Sequence, residues 1–252
     1  MNSARALLNG LIDYAGLFPP ASLDMAAAVR NYASYRDGEH SWMLGRFIVP
    51  APRLAEFDAA SDQYSGLWRL SVLGATQHAD VESVELKIER PNEIQRAALV
   101  TYYELPRFDE SFFTAIAQAG ARAKIRTGGL TPAAVPSSAE LARFLILAAA
   151  ANVPFKATAG LHHPIRSETM HGFLNMFLAA ALVYKGGTES GALATLDETS
   201  PEAFRFDDDG VSWHSHRLTA AQIRDARQNF AIGFGSCSFD EPVADLRTIG
   251  LL

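Results

Sequence analysis

Two short segments, Ala123-Lys124-Ile125-Arg126-Thr127-Gly128-Gly129 and Phe155-Lys156-Ala157-Thr158-Ala159-Gly160, each set a lysine inside an aliphatic stretch that stops at glycine. Side chains alternate along a strand, so Lys124 shares a face with Arg126, and Lys156 shares one with Thr158. A strand that carries cations and ends in glycine delivers them to the carboxyl edge of a parallel sheet, where α/β proteins bind ligands. The two segments read as adjacent walls of one anion-binding, catalytic site. Crowding two lysines and an arginine disfavours the protonated amines, and a neutral lysine is a nucleophile toward carbonyl carbon.

Further residues qualify by type and place. Glu104 precedes Leu105-Pro106 at the end of an apolar run, where a carboxylate reaches substrate from the loop side. In residues 84–89 the alternation puts Glu85, Lys87 and Glu89 on the lumen face; because a barrel interior is packed, Lys87 and Glu89, nearer the carboxyl end, are the expected ligand contacts. The turn after residue 233 is built of small residues and hydroxyls, and backbone N–H groups at Gly235 and Ser236 suit an anion. His162 is the expected general acid/base. The same region offers an alternative: His162, His163, Glu168 and His171 as ligands of a divalent metal ion, with Glu168 and His171 in a Glu-x-x-His spacing on an expected helix. Cys237 shows no feature that would depress its pKa.

These residues need a scaffold, and the chain is patterned to provide one. Strand-like runs recur at 44–50, 68–74, 84–89, 98–104, 122–127, 153–159 and 230–235, separated by helical apolar spacing at 23–35, 109–119, 138–151, 168–184 and 219–229. The alternation predicts parallel βα units closing into a single (β/α)8 (TIM-type) barrel over residues 1–252. Irregularity is expected near residues 185–216, where Phe204-Arg205-Phe206 and Val211-Ser212-Trp213 flank an Asp-Gly turn as a hairpin would, in an insertion placed to carry a lid. The stretch from Asp13 to Ala21, with two prolines, is expected as a stiff, extended segment that closes the first strand or, by preference, plugs the mouth. Asp13 and Tyr14 would then touch the ligand.

Lys124-Ile125-Arg126-Thr127-Gly128 and Lys156-Ala157-Thr158-Ala159-Gly160 resemble the two consecutive lysine strands of deoxyribose-phosphate aldolases. That resemblance implies a cofactor-free (β/α)8 barrel in which Lys124 forms a Schiff base with a carbonyl substrate and Lys156 lowers the pKa of Lys124. The chain departs from the pattern at Arg126, which stands where the family has a small hydroxyl residue and adds a fixed carboxylate or phosphate clamp.

Composition bounds the remaining classes. With 252 residues, 48% of them hydrophobic, there is material for a large core. The net charge of −6 and the lack of a basic block argue against nucleic acid or a membrane surface as partner. A single cysteine allows no internal disulfide, and no secretory signal pattern opens the chain, so a cytoplasmic setting is expected. Three readings stand: a Schiff-base lyase acting on a small anionic carbonyl metabolite without a cofactor, a metal-dependent hydrolase or isomerase, and a non-catalytic anion-binding barrel. A homo-oligomer is compatible with each.

Overall fold

The computed structural model describes residues 3–129, 131 and 134–252. Its strands are β1 (Ile12–Tyr14), β2 (Leu44–Pro50), β3 (Leu70–Leu73), β4 (Val81–Lys87), β5 (Val100–Glu104), β6 (Arg122–Arg126), β7 (Phe155–Thr158), β8 (Phe204–Phe206), β9 (Gly210–Trp213), β10 (His216–Thr219) and β11 (Ala231–Ser236). β1 to β7 and β11 close into an eight-stranded barrel, every neighbouring pair parallel. This is the (β/α)8 architecture that the alternation predicts.

The helices are α1 (Ser3–Leu8), α2 (Met25–Asp37), α3 (Leu54–Ser61), α4 (Glu110–Ala119), α5 (Ser138–Ala150), α6 (Phe173–Tyr184), α7 (Glu189–Asp197), α8 (Ala220–Asn229) and α9 (Asp240–Thr248). Local chemistry sets their ends. Asp109 accepts from the Ser111 N–H at the start of α4, and left-handed Gly120 closes it. Ser137 with Glu140, and Thr219 with Gln222, form capping boxes that start α5 and α8. None of the described helices is long and apolar enough to cross a membrane.

Between barrel and helices the apolar faces merge into one core. Phe144 and Phe155 meet edge to face, Phe155 meets Phe230 in the same way, and Phe173 stacks on Phe234. The contacts run from helix to strand, which leaves the lumen side of the same strands for polar residues.

The sequence reading needs four corrections here. Residues 12–14 are the first barrel strand, and residues 16–21 turn rather than extend. The helix expected from residue 168 starts at Phe173, because the Asn175 side chain turns back to accept from the Arg166 N–H and a side chain at Gly172 would strike Asn175 and Pro164. The expected hairpin forms in the expected register, Phe204 opposite Trp213 and Phe206 opposite Val211, yet β10 adds a third strand to it. Finally, residues 185–229 supply no wall to the cavity at the carboxyl ends of the barrel strands, so the insertion is not a lid over it.

Candidate active site

Strand register puts the charged residues in a row. Glu104 on β5 is the register partner of Lys124 on β6, and Lys124 is the partner of Lys156 on β7. The next position, on β11, is Gly233. All three side chains point into the lumen, where a barrel usually packs branched aliphatic residues. Glu85 on β4 and Asp13 on β1, register partners of Tyr102 and Gly235, reach the same charged cluster with their side chains.

These five side chains form an alternating chain of ion pairs. Lys156 Nζ donates to Asp13 Oδ2 at 2.6 Å and to Glu85 Oε1 at 2.7 Å. Glu85 Oε2 lies 2.7 Å from Lys124 Nζ, which lies 3.0 Å from Glu104 Oε2. Glu85 Oε1 also accepts from Ser71 Oγ, itself bonded by Ser83 Oγ, and Asp13 Oδ1 accepts from the Arg46 N–H. Asp13, Glu85 and Lys156 are thus both paired and hydrogen-bonded, the condition under which buried charge is tolerated, whereas Glu104 Oε2 is buried with its ion pair to Lys124 but no hydrogen bond. At the outer end, Arg126 and Lys87 stand 3.7 and 4.0 Å from Glu104 Oε1, beyond ordinary hydrogen-bonding length.

The two lysines are not crowded against each other, because Glu85 sits between them and binds one with each oxygen. Burial by itself would lower the Lys156 pKa; Asp13 and Glu85 outweigh it and hold the group above the usual lysine value. Burial would likewise raise the Glu85 pKa, but Lys156 and Lys124 hold it far below the usual carboxylate range. The like-charge mechanism expected from sequence is therefore overturned at Lys156, which is a fixed cation.

A cavity of about 410 Å³ opens at the carboxyl ends of the strands. Lys124, Glu85 and Glu104 line its floor, with Lys87, Arg126 and Thr158 toward the mouth. Lys156 and Asp13 lie beneath, off the cavity wall. Gly235 contributes to the wall as expected, but Ser236 is buried and off the cavity wall; its neighbour Cys237 lines the cavity instead, with its thiol pKa raised by burial. Glu89 falls past the end of β4 and lines a second cavity of about 500 Å³, which shares Lys87, Glu104 and Arg126 with the first.

The ends of β6 and β7 are held together closely. Thr127 N–H donates to the Thr158 carbonyl at 2.9 Å, and Thr127 Oγ1 donates to the Ala159 carbonyl. A Cβ on Gly128 would come within 2.7 Å of Gly160 Cα, and Gly160 has φ +79°. Both glycines are required by that approach, which fixes how Lys124 and Thr158 face the cavity.

The histidines divide. His162 lines the cavity, with Nδ1 3.4 Å from Glu241 Oε2. His163 Nδ1 is 2.6 Å from Asp245 Oδ2 on α9. His171 is buried against the Pro136 carbonyl and Arg166, and burial lowers its pKa; Glu168 is exposed on the loop before α6. His162, His163, Glu168 and His171 do not converge, and no group of three or more His, Cys, Asp or Glu placed to hold a metal occurs among the described residues. The reason is the missing helical turn: without a helix at 168–172, Glu168 and His171 do not share a face.

Glu85 and Asp13 are the members of the charged chain that the sequence pattern did not single out. Parity puts Glu85 in the lumen, but the packed-interior rule favours its outer neighbours; Asp13 and Tyr14, expected to touch the ligand from a plugging segment, lie on β1 off the cavity wall.

Fold and site together define a (β/α)8 barrel with a buried lysine–carboxylate chain beneath the cavity at the carboxyl ends of its strands. No protein-family model matches the chain, and no curated protein or solved structure gives a significant match.

Proposed function

We propose that the chain is a lyase of aldolase type that acts through a Lys124 Schiff base on a small anionic carbonyl metabolite. The observation that carries this reading is the placement of Lys124 Nζ, a buried amine on the cavity wall between two carboxylates. Glu85 is already held ionised by Lys156, so Glu104, which touches both Lys124 and the cavity, is the carboxylate that moves protons.

In this reaction Lys124 Nζ attacks the carbonyl carbon and water leaves to give a protonated imine. Glu104 takes the proton of the hydroxyl two carbons from the imine carbon, the bond between the first and second of those carbons breaks, its electron pair enters the imine to form an enamine, and the other fragment departs as a carbonyl compound. Glu104 or His162 returns a proton to carbon, and water releases the second fragment. Lys156 acts through Glu85 as a positioning residue. Arg126, Lys87 and Thr158 hold the anionic group, with the Gly235 turn beside them. The reaction uses no added cofactor and fits a cytoplasmic metabolic enzyme without nucleic-acid or membrane partners.

A second reading has its own support. Lys156 is a fixed cation and Lys124 is clasped by two carboxylates, an arrangement equally suited to a non-catalytic barrel whose cationic mouth binds a metabolite. Proton exchange separates the two. An imine acidifies the neighbouring C–H, so in D2O the protein should exchange protons next to the carbonyl of small oxo acids, followed by proton NMR. Lys124→Arg should abolish exchange, and Glu104→Gln should slow it about 10²–10⁴-fold. Exchange that survives Lys124→Arg contradicts the lyase reading; ligand binding with no exchange supports the second.

A further inference from the structure

Resting on the lyase reading, we propose that the substrate is a 4-hydroxy-2-oxo acid with an apolar tail, the adduct of a short 2-oxo acid and an apolar aldehyde. The first ground is the spacing of cation and nucleophile. Lys124 and Arg126 share one face of β6 and approach the two oxygens of the same Glu104 carboxylate, at 3.0 and 3.7 Å, so amine and guanidinium open side by side onto the cavity. A carbonyl carbon bound at Lys124 therefore presents its adjacent substituent to Arg126. A carboxylate bonded directly to that carbon matches the planar fork.

The second ground is where the cations are not. Among the described residues, the lysine and arginine side chains on the cavity wall come from β4 and β6: Lys87, Lys124 and Arg126. The turn at Gly235, on β11 beside Thr158 and two strands from Arg126, has none of its own. Ile48 Cδ1 closes over it, 3.0 Å from where a Cβ on Gly235 would lie. A phosphate dianion there would lack a counterion, whereas one carboxylate at Arg126 and Lys87 would not.

The third ground is the opposite wall. Ala15, Phe18, Pro19, Pro20 and Ile48 line the β1–β2 side, and Ile48 on β2 stands opposite β6 in the barrel order; Leu73, beside Glu85, continues that apolar wall, so the part of the substrate beyond the reacting carbons meets carbon rather than polar groups. A sugar's hydroxyls would be left without partners there, and an alkyl or aryl tail would not.

The chemistry balances. With the iminium at C2, Glu104 takes the proton of the C4 hydroxyl, the C3–C4 bond breaks, and C4 leaves as the apolar aldehyde. The electron pair of the broken bond forms the C2=C3 enamine, which is protonated at C3 and hydrolysed to the short 2-oxo acid and free Lys124.

The test compares carbonyl probes trapped with cyanoborohydride, reading by peptide mass spectrometry the concentration that half-marks Lys124. 2-Oxooctanoate should need at least about tenfold less than pyruvate, which lacks the tail, and than hexanal, which lacks the carboxylate. Arg126→Gln should raise the 2-oxooctanoate value about tenfold to a hundredfold and that of hexanal by less than about threefold. Leu73→Asn should raise the 2-oxooctanoate value by a larger factor than the pyruvate value; an equal change for both overturns the tail site. Preference for glyceraldehyde 3-phosphate, or equal trapping of pyruvate and 2-oxooctanoate, overturns the substrate class while leaving the imine intact. Should no probe mark Lys124, the lyase reading fails, and calorimetry with unreactive 2-hydroxyoctanoate and inorganic phosphate decides the ligand class. Tighter, Arg126-dependent binding of the hydroxy acid supports it, and tighter phosphate binding overturns it.

Discussion

At the residue scale the site is governed by sharing. Glu85 gives one oxygen to each lysine, so removing a single member leaves its partners buried and uncompensated. Lys156→Met should cost about 3–5 kcal/mol in urea unfolding, because Asp13 and Glu85 lose their cation. Combining it with Asp13→Asn should recover part of that loss, and strict additivity of the two changes would contradict the coupling. The lysines themselves were plain in the sequence, since a cation two residues before another polar residue in an aliphatic run marks one face of a strand. Their pairing was not, because Asp13 lies 143 residues from Lys156 and Glu85 lies 71 from it. Local spacing carries no information about contacts of that reach.

At the scale of elements, the close approach of β6 and β7 is the feature that aims Lys124. Gly128→Ala forces a Cβ to 2.7 Å from Gly160 Cα, and Gly160→Ala adds a left-handed alanine to the same clash. Each should destabilise the protein by about 1–3 kcal/mol and disturb ligand binding as well. Gly10→Ala is the control: φ is +57° but nothing lies within 4 Å, so about 1–2 kcal/mol of backbone strain should appear without any effect on the cavity. Equal effects on binding would mean that the strand ends do not orient the site. Capping boxes and β-branched runs made most elements readable before the fold was known. β1 escaped as a strand because three residues are too few for alternation to show, and the start of α6 moved because an asparagine side chain, not a propensity, decides it.

For the molecule as a whole, the buried charges set a pH window. Glu85 has a depressed folded pKa, so its stabilisation is complete above the ordinary glutamate value of about 4.3 and is lost as pH falls through the folded value. Lys156 has a raised pKa, so its contribution is complete below about 10.4 and is lost as pH rises through the folded value. Unfolding free energy from this chain of charges should be level between about pH 5 and 10, and Glu85→Gln should flatten the acid limb in urea titrations run at stepped pH. An unchanged acid limb would place the ionised Glu85 outside the stability balance. The closed barrel was legible because strand-like runs and helical spacing alternate along most of the chain outside residues 185–216; the direction in which its cavity is charged was not, since that depends on which strand ends meet across the lumen. The central claim is that Lys124 is the nucleophile, and borohydride reduction in the presence of an oxo acid tests it most directly. A stable mass increase should map to the peptide containing Lys124, vanish in Lys124→Arg and not transfer to Lys156; a label on Lys156, or a label that persists in Lys124→Arg, would contradict the account.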